Sequence, residues 1–537
     1  MNIRILKTTL WTLCGLVVLI GSCNCSTAET DEPQPGTGSA LPTGNRLPGY
    51  DAGESLAVEV ARPTGARLVG LGVELDPHFL SQNTTRPDGP QPAIWHRIVT
   101  PRIRQMQIER FRVMLLPHWW EPENDNDDPD VADMSRFTFD SKEMESLYAV
   151  LDIAQETGAD VTLVLWGCPT SCEQVGNRYF GRHFLCDPDA QNWVVEPASD
   201  EEFAESFSTV VKYLIEERGY TCIKELTPFN EPDGNVCQIE HYVPLVKTLD
   251  AKLRRDGIRD RVKLNLSDNT DTRRFFLEGC ANQLAAEADL FNSHTYIFGY
   301  ETPNRVVESW EKANVDVAAR AGKCHMVGEF GSNQCVGATR QRDIDKYERG
   351  VLMTRHVVNF LNAGAVGCSY WSLIDQYYGR TESYQAMQQL GLWRYLRDAY
   401  AQDPDKSIYP SLKEDFEVRP QYYAYSLLTR IVRKGSQAFP LDLRNDYAAG
   451  TALLSADGEW SYVLANGSDE AISLDLKNGH RGGTAPCEVY RYVAGRLPEG
   501  DALLPAAMTL ESAEGAFRVH LPAQSVVVLT QRQLAAE

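Results

Sequence analysis

The chain has 537 residues and a formal net charge of −22, which argues against nucleic acid as a partner, because that calls for a basic patch. The same acidity disfavours a strongly polyanionic substrate. With the first 48 residues set aside, roughly 490 remain, enough for one large domain and a smaller one.

Arg4 and Lys7 precede an apolar run from Leu10 to Ile20 that ends in Gly21-Ser22-Cys23. The run is too short to span a membrane and has the layout of an export signal. The small pair before Cys23 resembles a bacterial lipoprotein signal. That resemblance implies removal of residues 1–22, lipidation of Cys23, and a lipid-anchored place in the cell envelope, at the outer membrane or in the periplasm. An ordinary signal peptide with an incidental Cys fits the same residues. Residues 23–48 are rich in Ser, Thr, Gly and Pro without hydrophobic period, the composition of a flexible tether. From Cys23 onward twelve cysteines remain, and in an exported protein some are expected to form disulfides. Cys168, Cys172, His183 and Cys186 also offer a loose zinc spacing, with disulfides favoured over metal.

In residues 49–64, the stretch "SLAVEVA" (Ser55–Ala61) alternates apolar and polar residues. From 65 to 435 the chain repeats a short β-rich run, a loop and an amphipathic helical stretch. The β runs are 67–73, 108–115, 160–166, 223–229, 262–266, 289–294, 324–329 and 365–371. Ser199 ahead of Glu202 forms a capping box, and Gly158 and Gly364 are placed as C-caps. A strand–helix pair repeated about eight times over about 370 residues predicts a (β/α)8 TIM barrel, of α/β class. The competing open doubly wound sheet would carry a Gly-rich phosphate turn, whereas Glu74 and Asp76 stand in "GLGVELDP". From 436 to 537, period-two alternation with Asp-Gly and Asn-Gly turns predicts a C-terminal antiparallel β-sandwich of about seven strands. The strand at 55–61 shares that texture and is expected to pair into the sandwich.

In such a barrel, function collects at the C-terminal strand ends. The fourth run stops at Asn230-Glu231-Pro232, where propensity favours none of the three. The seventh stops at Gly328-Glu329-Phe330. A carboxylate at tip four thus faces one at tip seven, the arrangement that glycosidic-bond cleavage requires: an acid for the leaving oxygen and an anion for the developing oxocarbenium ion. Arg112 on the second run is placed to keep Glu329 ionised, and Tyr296 to donate to the same carboxylate. Asn230 can bond a sugar hydroxyl. His294 sits at the sixth tip, and Trp166 and Trp371 offer flat faces for a pyranose ring. Trp120, Asp76 and His78, just past strands two and one, are further candidates for substrate contact. Each has a plainer reading, as a helix-start acid, an interior ion pair, a turn or a packing residue.

These residues, in this strand order, resemble the clan A retaining glycoside hydrolases, and the fused sandwich resembles the clan's glucosylceramidase and β-xylosidase subgroups. The resemblance covers residues 55–533. It implies Glu231 as acid/base, Glu329 as nucleophile and an oligo- or polysaccharide substrate with β linkages. Hydrolysis of this kind needs no metal or organic cofactor. A non-catalytic glycan-binding lipoprotein and a transglycosylase are the alternatives on the same scaffold.

Overall fold

Runs such as Val161–Leu165 are buried on both faces, the pattern of strands covered on each side. In the computed structural model such runs close into one barrel. The structure describes residues 41–77, 95–170, 182–186, 189, 194–234, 236–270, 273–332, 343–377, 387–394 and 416–534. The barrel strands are β1 (Gly70–Glu74), β2 (Arg110–Leu115), β3 (Asp160–Leu165), β4 (Ile223–Thr227), β5 (Lys263–Asn269), β6 (Leu290–Thr295), β7 (Cys324–Phe330) and β8 (Gly367–Tyr370). Each pairs in parallel with its successor, and β8 returns to β1 with Gly367 opposite Gly70. The closed ring excludes the open doubly wound sheet.

A helix follows each strand: α1 (Thr100–Met106), α2 (Lys142–Thr157), α3 (Asp200–Lys212), α4 (Ile239–Arg255), α5 (Arg274–Gln283), α6 (Asn304–Arg320), α7 (Glu348–Ala363) and α8 (Pro420–Ile431). Ser199 caps α3 by accepting from the Glu202 N–H at 3.2 Å. Gly158 and Gly364 end α2 and α7 at φ 71° and 101°, a region that costs glycine nothing. Among the described residues, no helix is long and apolar enough to cross a membrane.

Inside the ring, β2 contributes two arginines, Arg110 and Arg112. The lower one, Arg110, forks onto Glu225 at 2.7 and 2.8 Å, with Thr162 and Asn265 completing the carboxylate's hydrogen bonds. Although burial works to raise it, Arg110 holds the Glu225 carboxyl below its usual range. The upper arginine, Arg112, belongs to the mouth of the barrel.

The last hundred residues form the sandwich, with eight strands of their own rather than seven. One sheet runs 43–44, 506–510, 487–492, 525–530, 460–466, 448–454 and 437–441; the other runs 56–59, 472–477 and 516–521. Leu56–Glu59 pairs in parallel with Ile472–Lys477. The tether expected to extend to residue 48 stops earlier. Thr43–Gly44 pairs with Thr509–Leu510, and Leu47 is 1% exposed in the sandwich core. An edge strand uses only backbone groups, so two residues of polar composition can dock without any hydrophobic pattern. Helix α7 ties the sandwich to the barrel: Tyr347 stacks on Tyr492 at 4.5 Å and donates to the Gln524 carbonyl at 2.7 Å.

Disulfides expected from export are not formed at the described thiols Cys168, Cys222, Cys237, Cys280, Cys324, Cys368 and Cys487, all buried except Cys324. Burial pushes the Cys222 and Cys487 thiols up to about 12. The zinc reading also fails at His183, whose Nε2 contacts the Glu121 carbonyl at 2.7 Å while Nδ1 accepts from Leu185 N–H at 3.4 Å. Neither nitrogen is left for a metal. Cys172, Cys23 and most of the two long insertions at 169–197 and 374–419 lie outside the described residues.

Arg110→Ala strands Glu225 in the barrel interior, and we expect a loss of ~3–5 kcal/mol in denaturant unfolding. Arg110→Met combined with Glu225→Leu should recover much of it.

Candidate active site

The C-terminal mouth of the barrel is built around Arg112, 3% exposed on β2. Its Nη1 donates to Glu329 Oε1 at 2.5 Å and Glu74 Oε2 at 3.0 Å; its Nη2 donates to Asp268 Oδ2 at 2.6 Å and Asn230 Oδ1 at 2.9 Å. One guanidinium therefore joins the tips of β1, β4, β5 and β7. Asn230 spends its carbonyl on Arg112, which leaves its amide N–H2 to donate elsewhere.

The two glutamates singled out in the sequence come together here. Oxygen atoms of Glu231 and Glu329 and a ring nitrogen of His294 all lie within 4.8 Å of one another. His294 Nδ1 contacts Glu231 Oε1 at 2.7 Å and faces Glu329 Oε2 at 3.5 Å. Its Nε2 faces Asp268 Oδ1 at 3.3 Å, an ion pair that falls short of hydrogen-bond geometry. Tyr296 donates to Glu329 Oε2 at 2.7 Å. The two carboxylates differ in surroundings: the Glu231 side chain is 35% exposed and that of Glu329 is 7% exposed.

Two bulges put these groups in place. Between β5 and β6 the register passes from Asn292 opposite Ser267 to Ser293 opposite Asn269, so Asp268 is the extra residue. Ser267 and Asp268 take φ 82° and 50°, a region strained for side-chain-bearing residues. The bulged Asp268 turns its carboxylate to Arg112 and its carbonyl to the Glu231 N–H at 3.1 Å. Glu231 is itself left-handed at φ 43°, strain of the kind that concentrates at functional positions. Between β6 and β7 the register passes from Ser293–Val327 to His294–Glu329, so Gly328 is the extra residue there.

The charges follow from burial. Burial works against a protonated His294, yet Glu329 and Asp268 hold the imidazolium well above its usual range. Asp268 would be raised by burial, but Arg112 and His294 hold it below the ordinary carboxylate value. Glu329, expected to be held ionised, is instead pushed by burial up to about 7, with His294 and Arg112 pulling it back. Arg112 divides its charge among three carboxylates, which weakens its hold on any one. Glu74 is raised well above the usual range by burial and by the neighbouring Asp76, while burial pushes Asp76 to about 6. Glu231, His294 and Glu329 have metal-ligating spacing. However, a protonated imidazole has no free lone pair, and Arg112 already supplies a cation to Glu329.

The remaining candidates divide. Asp76 is 2% exposed just past the tip of β1, where it accepts from the Met114 N–H at 3.1 Å and feels the charges of Arg112 and Glu329. Trp166 and Trp371 stand at the tips of β3 and β8, 5% and 9% exposed, and the Trp371–Ser372 peptide is cis. Trp120 is corrected: it is fully buried, and its indole N–H donates to Ser206 on α3 at 3.1 Å, away from any substrate. The short 3-10 turn Pro117–Trp119 rotates it under the helix layer. His78 lies outside the described residues. Sequence reading missed Asp268 and Glu74. For Glu74 an acid at a strand tip was the available signal; for Asp268 there was none, because the apolar run of the fifth strand ends at Leu266, before the bulge.

No protein-family model and no curated protein sequence matches the chain. Solved structures do match. A glycoside hydrolase family 30 subfamily 8 xylanase from Clostridium acetobutylicum superposes with TM-score 0.59 at 12% identity, covering 88% of this chain and 99% of that one. An endo-β1,6-glucanase gives TM-score 0.59 at 13% identity, covering 90% and 96%. A family 39 β-xylosidase from Caulobacter crescentus gives TM-score 0.54 at 14% identity, covering 89% and 100%. The fold is that of the clan A glycoside hydrolases. The match extends beyond the barrel, since 88–90% of this chain is covered.

A Cβ on Gly328 would run into Asn292 Oδ1 and come within 3.1 Å of Asp268 Oδ1. Asn292 cannot give way, being 1% exposed and bonded to Asn265 at 2.8 Å. Gly328→Ala should therefore cost ~1–3 kcal/mol in denaturant unfolding.

Proposed function

We propose that this chain is a retaining glycoside hydrolase acting on β-linked glycans, with Glu231 as acid/base and Glu329 as nucleophile. The observation that carries this reading is the convergence of the two carboxylates. Their nearest ligating oxygens lie within 4.8 Å at the barrel mouth, in keeping with the ~5–5.5 Å carboxyl spacing of retaining enzymes and short of the ~6.5–9.5 Å that leaves room for a water in inverting ones. The neighbours' printed activities, xylanase, β1,6-glucanase and β-xylosidase, support a carbohydrate substrate at the same coarse level.

The roles follow from the surroundings. The nucleophile must be held still and aimed, and Glu329 is gripped by Arg112 on one oxygen and Tyr296 on the other. The acid/base must exchange protons with leaving group and water, and Glu231 is the more exposed carboxylate. In the first half-reaction the Glu231 proton goes to the glycosidic oxygen as Glu329 bonds to the anomeric carbon. In the second, Glu231 takes a proton from the attacking water and the ester to Glu329 breaks. The Asn230 amide N–H2 is left to hold a sugar hydroxyl. Attachment to the envelope through a lipid on Cys23 is part of the same proposal, and Cys23→Ser should release the protein from membranes in fractionated cells.

Glu329→Gln should reduce turnover of aryl β-glycosides to background. Glu231→Ala should lower it by about 10²–10⁴-fold, with azide restoring activity in this variant alone and NMR showing a β-configured first product. Full activity in both variants, or an α first product, would reject the assignment. Because Glu329 is pushed up to about 7, it becomes protonated as pH falls through that value and the nucleophile is lost. We expect kcat/KM to drop about tenfold per pH unit below an inflection near 7; a profile flat down to pH 5 would contradict this.

A further inference from the structure

Outside the barrel mouth, a second acidic cluster has no part in the proposed chemistry. Glu121 and Asp125 lie in the segment between β2 and α2, and Glu205 lies on α3; they are 0%, 5% and 1% exposed. One carboxylate oxygen from each lies within 4.8 Å of the others. Acidic clusters are common, but here Glu121, wholly buried, has no hydrogen-bond partner on either oxygen. Both oxygens of Glu121 and Oε2 of Glu205 are buried without a hydrogen bond, and so is Oδ1 of the nearby Asn124. The Ser206 hydroxyl and the Asp125 N–H favour charge on Glu121 without reaching hydrogen-bond geometry. Lys252, which acts on Glu205, is engaged by the Asp130 carbonyl and the Asp256 carboxylate at 3.4 and 3.1 Å.

We propose that Glu121, Asp125 and Glu205 form a structural site for a hard divalent cation, calcium in preference to magnesium, which clamps the β2–α2 segment to α3. The donors are all oxygens, which suit a hard cation over zinc or copper. Magnesium demands near-ideal octahedral geometry and sheds water reluctantly, whereas calcium accepts irregular carboxylate sets in confined sites. Asp125 is pre-set for such a role: the Asn126 N–H donates to its Oδ1 at 2.7 Å, and the Asn126 amide and the Asp133 N–H hold its Oδ2. Burial pushes Glu121 and Glu205 each to about 8, with neighbouring acids adding to it.

The test uses the full protein stripped with a chelator. Calcium should raise Tm by about 5 °C, with a stoichiometry near one by calorimetry and a smaller response to magnesium. Terbium should luminesce on indole excitation, since Trp119 and Trp120 directly precede Glu121, and calcium should quench that signal by displacement. Glu121→Gln and Glu205→Gln should each abolish both responses while keeping the near-UV circular dichroism of the fold. Glu231→Ala should retain them, which separates this site from the barrel mouth. An unchanged Tm with no terbium signal would overturn the proposal. So would variants that are simply more stable than the parent with no calcium response in either, the signature of a protonated cluster.

Discussion

The mouth of this barrel depends on how one buried guanidinium is shared. Arg112 reaches Glu74, Asp268, Glu329 and Asn230 from a single position on β2. Without it, carboxylates from three strands would face each other in a medium that screens poorly. With it, they differ: Asp268 is held below the ordinary carboxylate range, Glu74 stays raised by burial, and Glu329 is pushed up to about 7. The planar fork also fixes geometry, since its two terminal nitrogens lie at a set angle and the acceptors must come to them.

Position at the mouth is set by departures from regular strand geometry. Had β5 and β7 stayed in register, Asp268 and Glu329 would follow the pleat and neither bulge would exist. The extra residue in β5 is what allows one aspartate to hold the Glu231 backbone through its carbonyl while facing His294 and Arg112 through its carboxylate. The strain at Glu231, Ser267 and Asp268 is thus concentrated in two segments that touch. At the foot of α7, Tyr347 stacks on Tyr492 and so packs the barrel's seventh helix on the sandwich.

Much of this was legible in the sequence, and for a physical reason. Buried parallel strands must be apolar throughout, so an interruption such as Asn230-Glu231-Pro232 marks a strand end without any knowledge of the fold. Arg112 was visible as a charge inside an apolar run. Asp268 was not, because the bulge that delivers it has no signature in "NLSDNT": it exists only through its pairing with β6. Trp120 misled in the opposite sense, since an aromatic residue past a strand tip can turn up toward substrate or down under a helix, and the chain alone does not distinguish these. The tether boundary failed for a related reason, as the docking of Thr43 and Gly44 uses backbone groups that every residue possesses.

The sandwich draws its strands from both ends of the chain, with Leu56–Glu59 paired to Ile472–Lys477 and all eight barrel strands between them. During synthesis at ~5–20 residues per second, the early strand waits roughly 20–80 s for its mate. The barrel can close in that interval, while Val58 and Leu47, destined for the sandwich core, stay uncovered. Nascent chains of this protein therefore pass through a stage with a finished barrel and an unfinished seam, and that seam is where a holding chaperone has the most to grip.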